Sequence, residues 1–453
     1  MAVSIFKIEF NSREASVAVT AEERRLRDRA EAGHIEQGGW TVGSVYVLAL
    51  LTVMYTLNYA DRSVFGLLLP LIKRDMQVTD TMLGLMSGFA FAVFYAVAGV
   101  PAAALADRWS RRNVIAIGLS VWSLMTVITG FTQNVVQMMV ARFLLGAGEA
   151  GGTAPSNAMI ADMLEPARRP LALGVQNCAP SLSMLLCFPL LGWVAQTHGW
   201  RTAFVVAGAP GLLVAVLLLA TVTEPARRRT APAAEAPATS FREGLAALAR
   251  SKAYVLLVIC SVLKSFALFG FQTWLPSFFT RVHHLSMTEV GGYMGVINGP
   301  AGILGALVGG VLTSALIRKD ARWLAWSPAI MILLVVPADL LLLYGGGAEW
   351  KVGLALDGFL QAAMAAPLFA LCLSAADSRN RAVATAVLLL FMYLVGQTTG
   401  PVFVGMLNDH LRPHLGDAAI RYALTTTVVG PLLGGLVLLR ASRHLDRPAP
   451  AVG

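Results

Sequence analysis

From residue 42 to residue 440 this chain is a succession of apolar runs, each about twenty residues or longer, divided by short polar turns. That is the length a bilayer's hydrocarbon core demands of a spanning helix. The runs lie near 42–70, 81–105, 113–132, 135–161, 169–196 and 202–222, then near 252–280, 287–317, 323–345, 350–376, 380–408 and 418–440. The predicted fold is an all-α integral membrane protein with twelve transmembrane helices in two six-helix bundles. Composition agrees: 56% of residues are hydrophobic and 13% charged, against about 25% charged in a soluble domain.

The expected organisation is a cytoplasmic N-terminal tail (1–41), an N-terminal bundle (42–222), a linker (223–250), a C-terminal bundle (251–440) and a cytoplasmic C-terminal tail (441–453). The linker opens on Glu224-Pro-Ala-Arg-Arg-Arg229 and continues rich in Pro and Ala, the composition of a flexible basic connector. Of the 35 Lys and Arg residues, 25 fall in the tails, the linker and the turns on their side. Only 7 fall in the opposite turns, and Arg62, Arg142 and Lys264 lie within runs. Basic residues are retained on the cytoplasmic side, so both termini are predicted there. Topology thus accounts for the net charge of +9, and no nucleic-acid partner is implied. The first forty residues are polar and charged, and the first apolar run is too long for a signal peptide's apolar core, so no cleavable leader is expected. Cys178, Cys187, Cys260 and Cys372 all sit in apolar runs without metal-ligand spacing, which predicts free buried thiols.

Charges at membrane depth are costly and face a partner or a watery cavity. Arg142 and Glu149 stand seven residues apart, close to two turns, so they share one helix face. Asp61-Arg62 lies in the first run. Asp61 and Arg142 fall in the same half of the bilayer and are positioned to pair, with Glu149 about 10 Å deeper. Carboxylates exchange protons at ordinary pH and arginines do not, so Asp61 and Glu149 are the predicted proton sites, with Arg62 and Arg142 as their charge partners. The alternative is a set of permanent salt bridges joining the first and fourth helices. Lys264, near mid-membrane, has three readings: it holds an anionic head group, it pairs with Asp339 or Asp357, or it snorkels. Tyr59, Asn58, Gln272, Asn298, Phe269 and Gln361 complete the substrate-binding candidates, each also explicable as helix packing.

The turn Ala106-Asp107-Arg108-Trp-Ser-Arg111-Arg112 resembles the signature loop of the major facilitator superfamily, Gly-x-x-x-Asp-Arg-x-Gly-Arg-Arg, with Ala103 and Ser110 in the glycine places. In that family the loop latches the two bundles on the cytoplasmic side. The resemblance therefore implies a cytoplasmic gate at Asp107, Arg108, Arg111 and Arg112. Asn58-Tyr-Ala-Asp61-Arg62, Gly148-Glu149-Ala-Gly-Gly-Thr-Ala-Pro155 through Asp162, and Gly199-Trp200-Arg201 resemble the bacterial branch of the Spinster family. Its eukaryotic members carry lysophospholipids and sphingoid phosphates.

The resemblance implies a proton-coupled secondary transporter, working by alternating access as a monomer in a bacterial inner membrane, with a small amphipathic or lysolipid-like substrate. Two rivals stand beside it: an organic-anion (sugar-acid) proton symporter, because those carriers share the Asn-Tyr-x-Asp-Arg pattern, and a membrane receptor that binds without transport. No nucleotide-binding loop, metal cluster or catalytic grouping is present in the sequence, so neither a cofactor nor enzyme activity is expected.

Overall fold

A computed structural model of the chain describes residues 40–224, 241–375 and 380–443. The N-terminal tail, the Pro/Ala-rich part of the linker, residues 376–379 and the C-terminal tail lie outside the described residues, as do the side chains of Ala103 and Asp107. Among the described residues the elements are helical. The first half holds α1 (Val42–Met76), α2 (Asp80–Ser87), α3 (Phe89–Arg108), α4 (Arg111–Thr129), α5 (Val135–Glu149), α6 (Thr153–Met163), α7 (Arg169–Asn177) and α8 (Ala179–Thr221). After α9 (Phe241–Arg250), the second half holds α10 (Lys252–Val282), α11 (Met287–Tyr293), α12 (Gly299–Ile317), α13 (Trp323–Tyr344), α14 (Glu349–Ser374), α15 (Arg381–Phe391), α16 (Thr398–Leu415), α17 (Ala419–Thr427) and α18 (Val429–Ala441).

Nine helical stretches among the described residues are long and apolar enough to cross a membrane, so this is a multi-pass membrane protein. Large apolar side chains face outward, among them Val311 at 73% exposed and Val216 at 63%, as lipid rather than water would require. The expected run 135–161 is divided in two. After Glu149 the backbone tightens into bonds from Gly151 N to Gly148 O (3.2 Å) and Gly152 N to Glu149 O (3.0 Å), and a new helix starts at Thr153. Pro155 lacks the N–H that a continuous helix would use there. The 53-residue stretch Arg169–Thr221 turns at Gly199, whose φ of +84° lies in the left-handed region. Two single π-helical turns, Met294–Asn298 and Met392–Gln397, interrupt the second half, each followed by a Pro-containing helix start. All four cysteines are free thiols; Cys260 and Cys372 are buried, Cys178 and Cys187 half-buried.

The two halves do not meet evenly. At the end bearing Met76 and Val282, one apolar core is shared: Phe65, Leu68 and Phe204 pack in the same cluster as Phe271, Trp274, Phe278 and Val404. Toward the other end each half keeps its own core, around Leu51, Trp122 and Ile160 in the first and around Leu257, Ile332 and Leu371 in the second. The cross-half packing runs through α2 against α16, α1 against α10 and α8 against α11 and α12. Glycine lets the backbones meet: a Cβ on Gly84 would lie 2.5 Å from the carbonyl oxygen of Pro401, and one on Gly192 2.5 Å from that of Met287. The molecule is therefore a two-lobed bundle, closed at one end.

Candidate functional site

Asp61 and Arg62 are neighbours on α1, so their side chains point about 100° apart. Asp61, 1% exposed, turns into the first half, toward Thr126 on α4, Cys187 on α8 and the α5 charges. Arg62 turns toward the other half. Its Nε donates to Glu149 Oε2 at 2.5 Å, and Glu149 is fully buried at the point where α5 ends. The Asn58 amide lies against the same carboxylate. The Arg62 guanidinium is ringed by Phe91 (4.9 Å), Tyr95 (4.8 Å), Tyr59 (5.9 Å) and Tyr393 (5.8 Å). Tyr393 belongs to the second half's π turn, and Phe269 packs on it at 6.0 Å.

The expected Asp61–Arg142 ion pair is not the one that forms; the pair is Arg62–Glu149. Arg142 instead lies with its guanidinium 3.8 Å from the centre of the Phe65 ring, and its Nε and Nη2 are buried without a hydrogen-bond partner. The reason is depth: the turn that breaks after Glu149 presents its carboxylate to the cage between the halves, while Arg142, two turns earlier, is walled in by Phe65 and Phe204.

Lys264, Gln272 and Gln361 line a different space, a small cavity inside the second half among α10, α13, α14 and α18. Asn298 ends the other π turn and packs its side-chain oxygen against Gly358. Of the substrate candidates, Tyr59, Asn58 and Phe269 thus gather around Arg62, and Lys264, Gln272 and Gln361 do not.

In the loop 106–112 the Asp107 side chain lies outside the described residues, and the contacts of its neighbours are local. Arg111 pairs with Asp162 and also donates to Ala158 O at 3.2 Å; Arg112 Nη1 donates to Val222 O at 2.9 Å. The backbone N–H groups of Arg111 and Arg112 and the Ser110 hydroxyl all donate to the Glu224 carboxylate, at 2.8, 2.9 and 2.7 Å. An anion at a helix start satisfies its orphan N–H groups and its dipole. These partners lie in the first half and at the start of the linker. Arg108 is exposed.

The cross-lobe latch is at the closed end and was not singled out from sequence. Asp80, fully buried, accepts from Lys73 (2.6 Å) and, in bidentate fashion, from Arg281 (2.8 and 2.9 Å), and Asn408 also donates to it. Asp409 returns the favour from the second half, accepting from the N–H groups of Asp80 (3.0 Å) and Thr81 (2.7 Å) at the start of α2. The only local signal is Thr79-Asp80 ahead of an apolar run, which reads as a helix cap; the partners are remote in sequence.

Two lobes closed at one end, with a caged charge pair between them, define a membrane transporter rather than an enzyme. The chain belongs to the major facilitator superfamily, whose family model matches residues 51–401. It is 34% identical over 391 residues to an MFS-type efflux pump of Mycolicibacterium smegmatis, covering 86% of this chain and 90% of that one. It is 27% identical to the sphingosine-1-phosphate transporter SPNS2 of Danio rerio, over 86% of this chain and 82% of the relative. A crystal structure of a bacterial homologue of the human lysosomal transporter Spinster, inward-facing and unoccupied, matches with a TM-score of 0.78 at 26% identity, covering 91% of this chain and all of that one. The resemblance to Spinster seen in the sequence therefore extends to the fold.

Proposed function

We propose that the chain is a proton-coupled secondary transporter working by alternating access in a bacterial inner membrane, as a monomer, and that its substrate is a lysolipid-like amphiphile. In this reading α2–α3, α5–α6, α11–α12, α15–α16 and α17–α18 each make one span and the 53-residue stretch divides at Gly199 into two. That yields twelve spans in two six-helix bundles, with both termini cytoplasmic. The closed end then faces outward, and the open end faces the cytoplasm.

The observation that carries the reading is Arg62, bonded to Glu149 in its own half and ringed in part by Tyr393 from the other. A proton on Glu149 cancels the anion that holds Arg62. The released guanidinium then takes an anionic head group in the cavity, and departure of the proton recaptures it. Proton and anion thus favour one another, which is the coupling free energy a transporter needs. Asp61, on the first-half side of the same helix turn, is the second proton site, with Arg142 as its nearby cation. Tyr55, Tyr59, Phe266 and Phe269 offer the apolar wall for a tail. The similarity to SPNS2 supports a lysolipid-like cargo.

The test is uptake of a labelled lysophospholipid by purified protein in liposomes under a pH gradient. Gradient-driven uptake is expected, and its loss in the Asp61→Asn/Glu149→Gln double variant. Intact driven uptake in that variant sinks the proton assignment. Sugar-acid uptake in place of lysolipid uptake moves the substrate class to organic anions, and binding without flux in either direction makes the protein a receptor.

A further inference from the structure

The second half has its own buried charges, which the Arg62 mechanism does not use. Lys264 on α10 is 7% exposed, yet it makes no hydrogen bond and no ion pair among the described residues. It lines the same cavity as Asp339 on α13 and Asp357 on α14, which are 4% and 1% exposed. Both carboxyl groups border this cavity; Asp339 Oδ1 is buried without a hydrogen-bond partner among the described residues, and Gln361 Nε2 donates to Asp357 Oδ1 at 3.2 Å. Cys260 is the other titratable group near Lys264, and α18 contributes Pro431, which carries no charge.

Two carboxylates at one cavity with no proton between them repel and bring no donor; with one proton, the acid of one can donate to the anion of the other. Charge counting gives the same number. One shared proton leaves one negative charge, which the Lys264 ammonium cancels, so the buried cluster is neutral. No proton, or two, leaves a net charge in a low-dielectric interior. The ammonium also already supplies the cation that a sodium ion would bring.

We propose that this cavity is a second proton-binding site, in which Asp339 and Asp357 hold one proton between them and Lys264 balances the remaining charge. The site lies wholly within one lobe. Only its part in coupling rests on the transporter reading; the proton itself is testable without transport.

Infrared difference spectroscopy of the purified protein in lipid nanodiscs reads the C=O stretch of protonated carboxyl groups directly. At neutral pH the wild type minus Asp339→Asn is expected to show one carboxyl equivalent, as is the wild type minus Asp357→Asn. Asp339→Glu keeps it, which separates loss of the proton from loss of the fold. The Asp61→Asn/Glu149→Gln variant keeps it too. Lys264→Met is expected to double it, because a second proton must replace the missing cation. A band that is unchanged in Asp339→Asn, or that sodium displaces in place of protons, overturns the proposal. If the band behaves as expected while lysolipid uptake ignores the pH gradient, the coupling reading fails and this site stands.

Discussion

Arg62 and Lys264 are buried cations, one in each half, and they are held in opposite ways. Arg62 is bonded to Glu149 and packed among four aromatic rings, one of them from the other lobe. Lys264 has no bonded partner among the described residues and faces a cavity lined by its own lobe. Burial alone therefore does not make a charge a sensor of conformation. A charge senses the rocking of the lobes when its partners lie on both sides of the seam. A charge enclosed on one side stores or balances protons with little geometric change.

The largest expected effect breaks this comparison at Arg62. Arg62→Ala breaks a buried ion pair and empties a cage of four rings, and should cost about 3–5 kcal/mol, seen as a large fall in thermal stability at neutral pH. Adding Glu149→Gln should restore part of it, while Lys264→Met, which keeps a side chain of similar length and lets a second proton replace the lost cation, should change stability far less. Equal losses from Arg62→Ala and Lys264→Met would abolish the distinction. A smaller effect sharpens it. Tyr393→Ala removes the ring that the second lobe contributes to the cage, a cation–π contact of about 1–2 kcal/mol. Distance measurements between spin labels on the two lobes should then show the closed end opening more often, with no change in the Lys264 cavity.

Gly84→Leu offers a steric counterpart at the lobe seam. Its side chain meets Pro401, so the closed end should open and labelling of a cysteine beside Asp80 should rise several-fold, leaving both charge clusters intact. The smallest effect lies at the same end. His283, just past α10, packs edge-on against Phe278 (5.1 Å) and at a tilt against Trp350 (5.2 Å), and burial, with Arg421 and His284 nearby, holds its affinity for a proton below the ordinary histidine value. The unfolded chain then binds the proton more readily, so stability falls as pH drops through the usual histidine range near 6.5. Thermal melts between neutral and mildly acidic pH should show a shallower decline for His283→Gln; an identical decline would remove His283 as a contributor.

Much of the site was legible before any coordinates. Charges inside apolar runs are rare enough to name Asp61, Arg62, Arg142, Glu149 and Lys264 outright, because hydrocarbon tolerates them only for a reason. What failed was the pairing. Depth along a straight helix pointed to Asp61–Arg142, but the helix breaks after Glu149 and delivers that carboxylate to Arg62 instead. The loop 106–112 was legible as an ion-pair centre, and its described partners proved to be Asp162 in its own lobe and Glu224 at the start of the linker. Asp80 was illegible, since one polar residue at a helix start is the commonest of caps.

By itself, then, the sequence determined the membrane class, the order of the apolar helices, the family and the list of intramembrane charges. The class, the helix order and the charges follow from the transfer of a segment between water and lipid, a property of local composition, and the family from short motifs such as 106–112. Only the tertiary structure decided which charge meets which, that the lobes close on Asp80 and Asp409, and that Lys264 shares its cavity with Asp339 and Asp357. Those contacts join helices far apart in the chain, and no local free energy specifies them until the helices have packed.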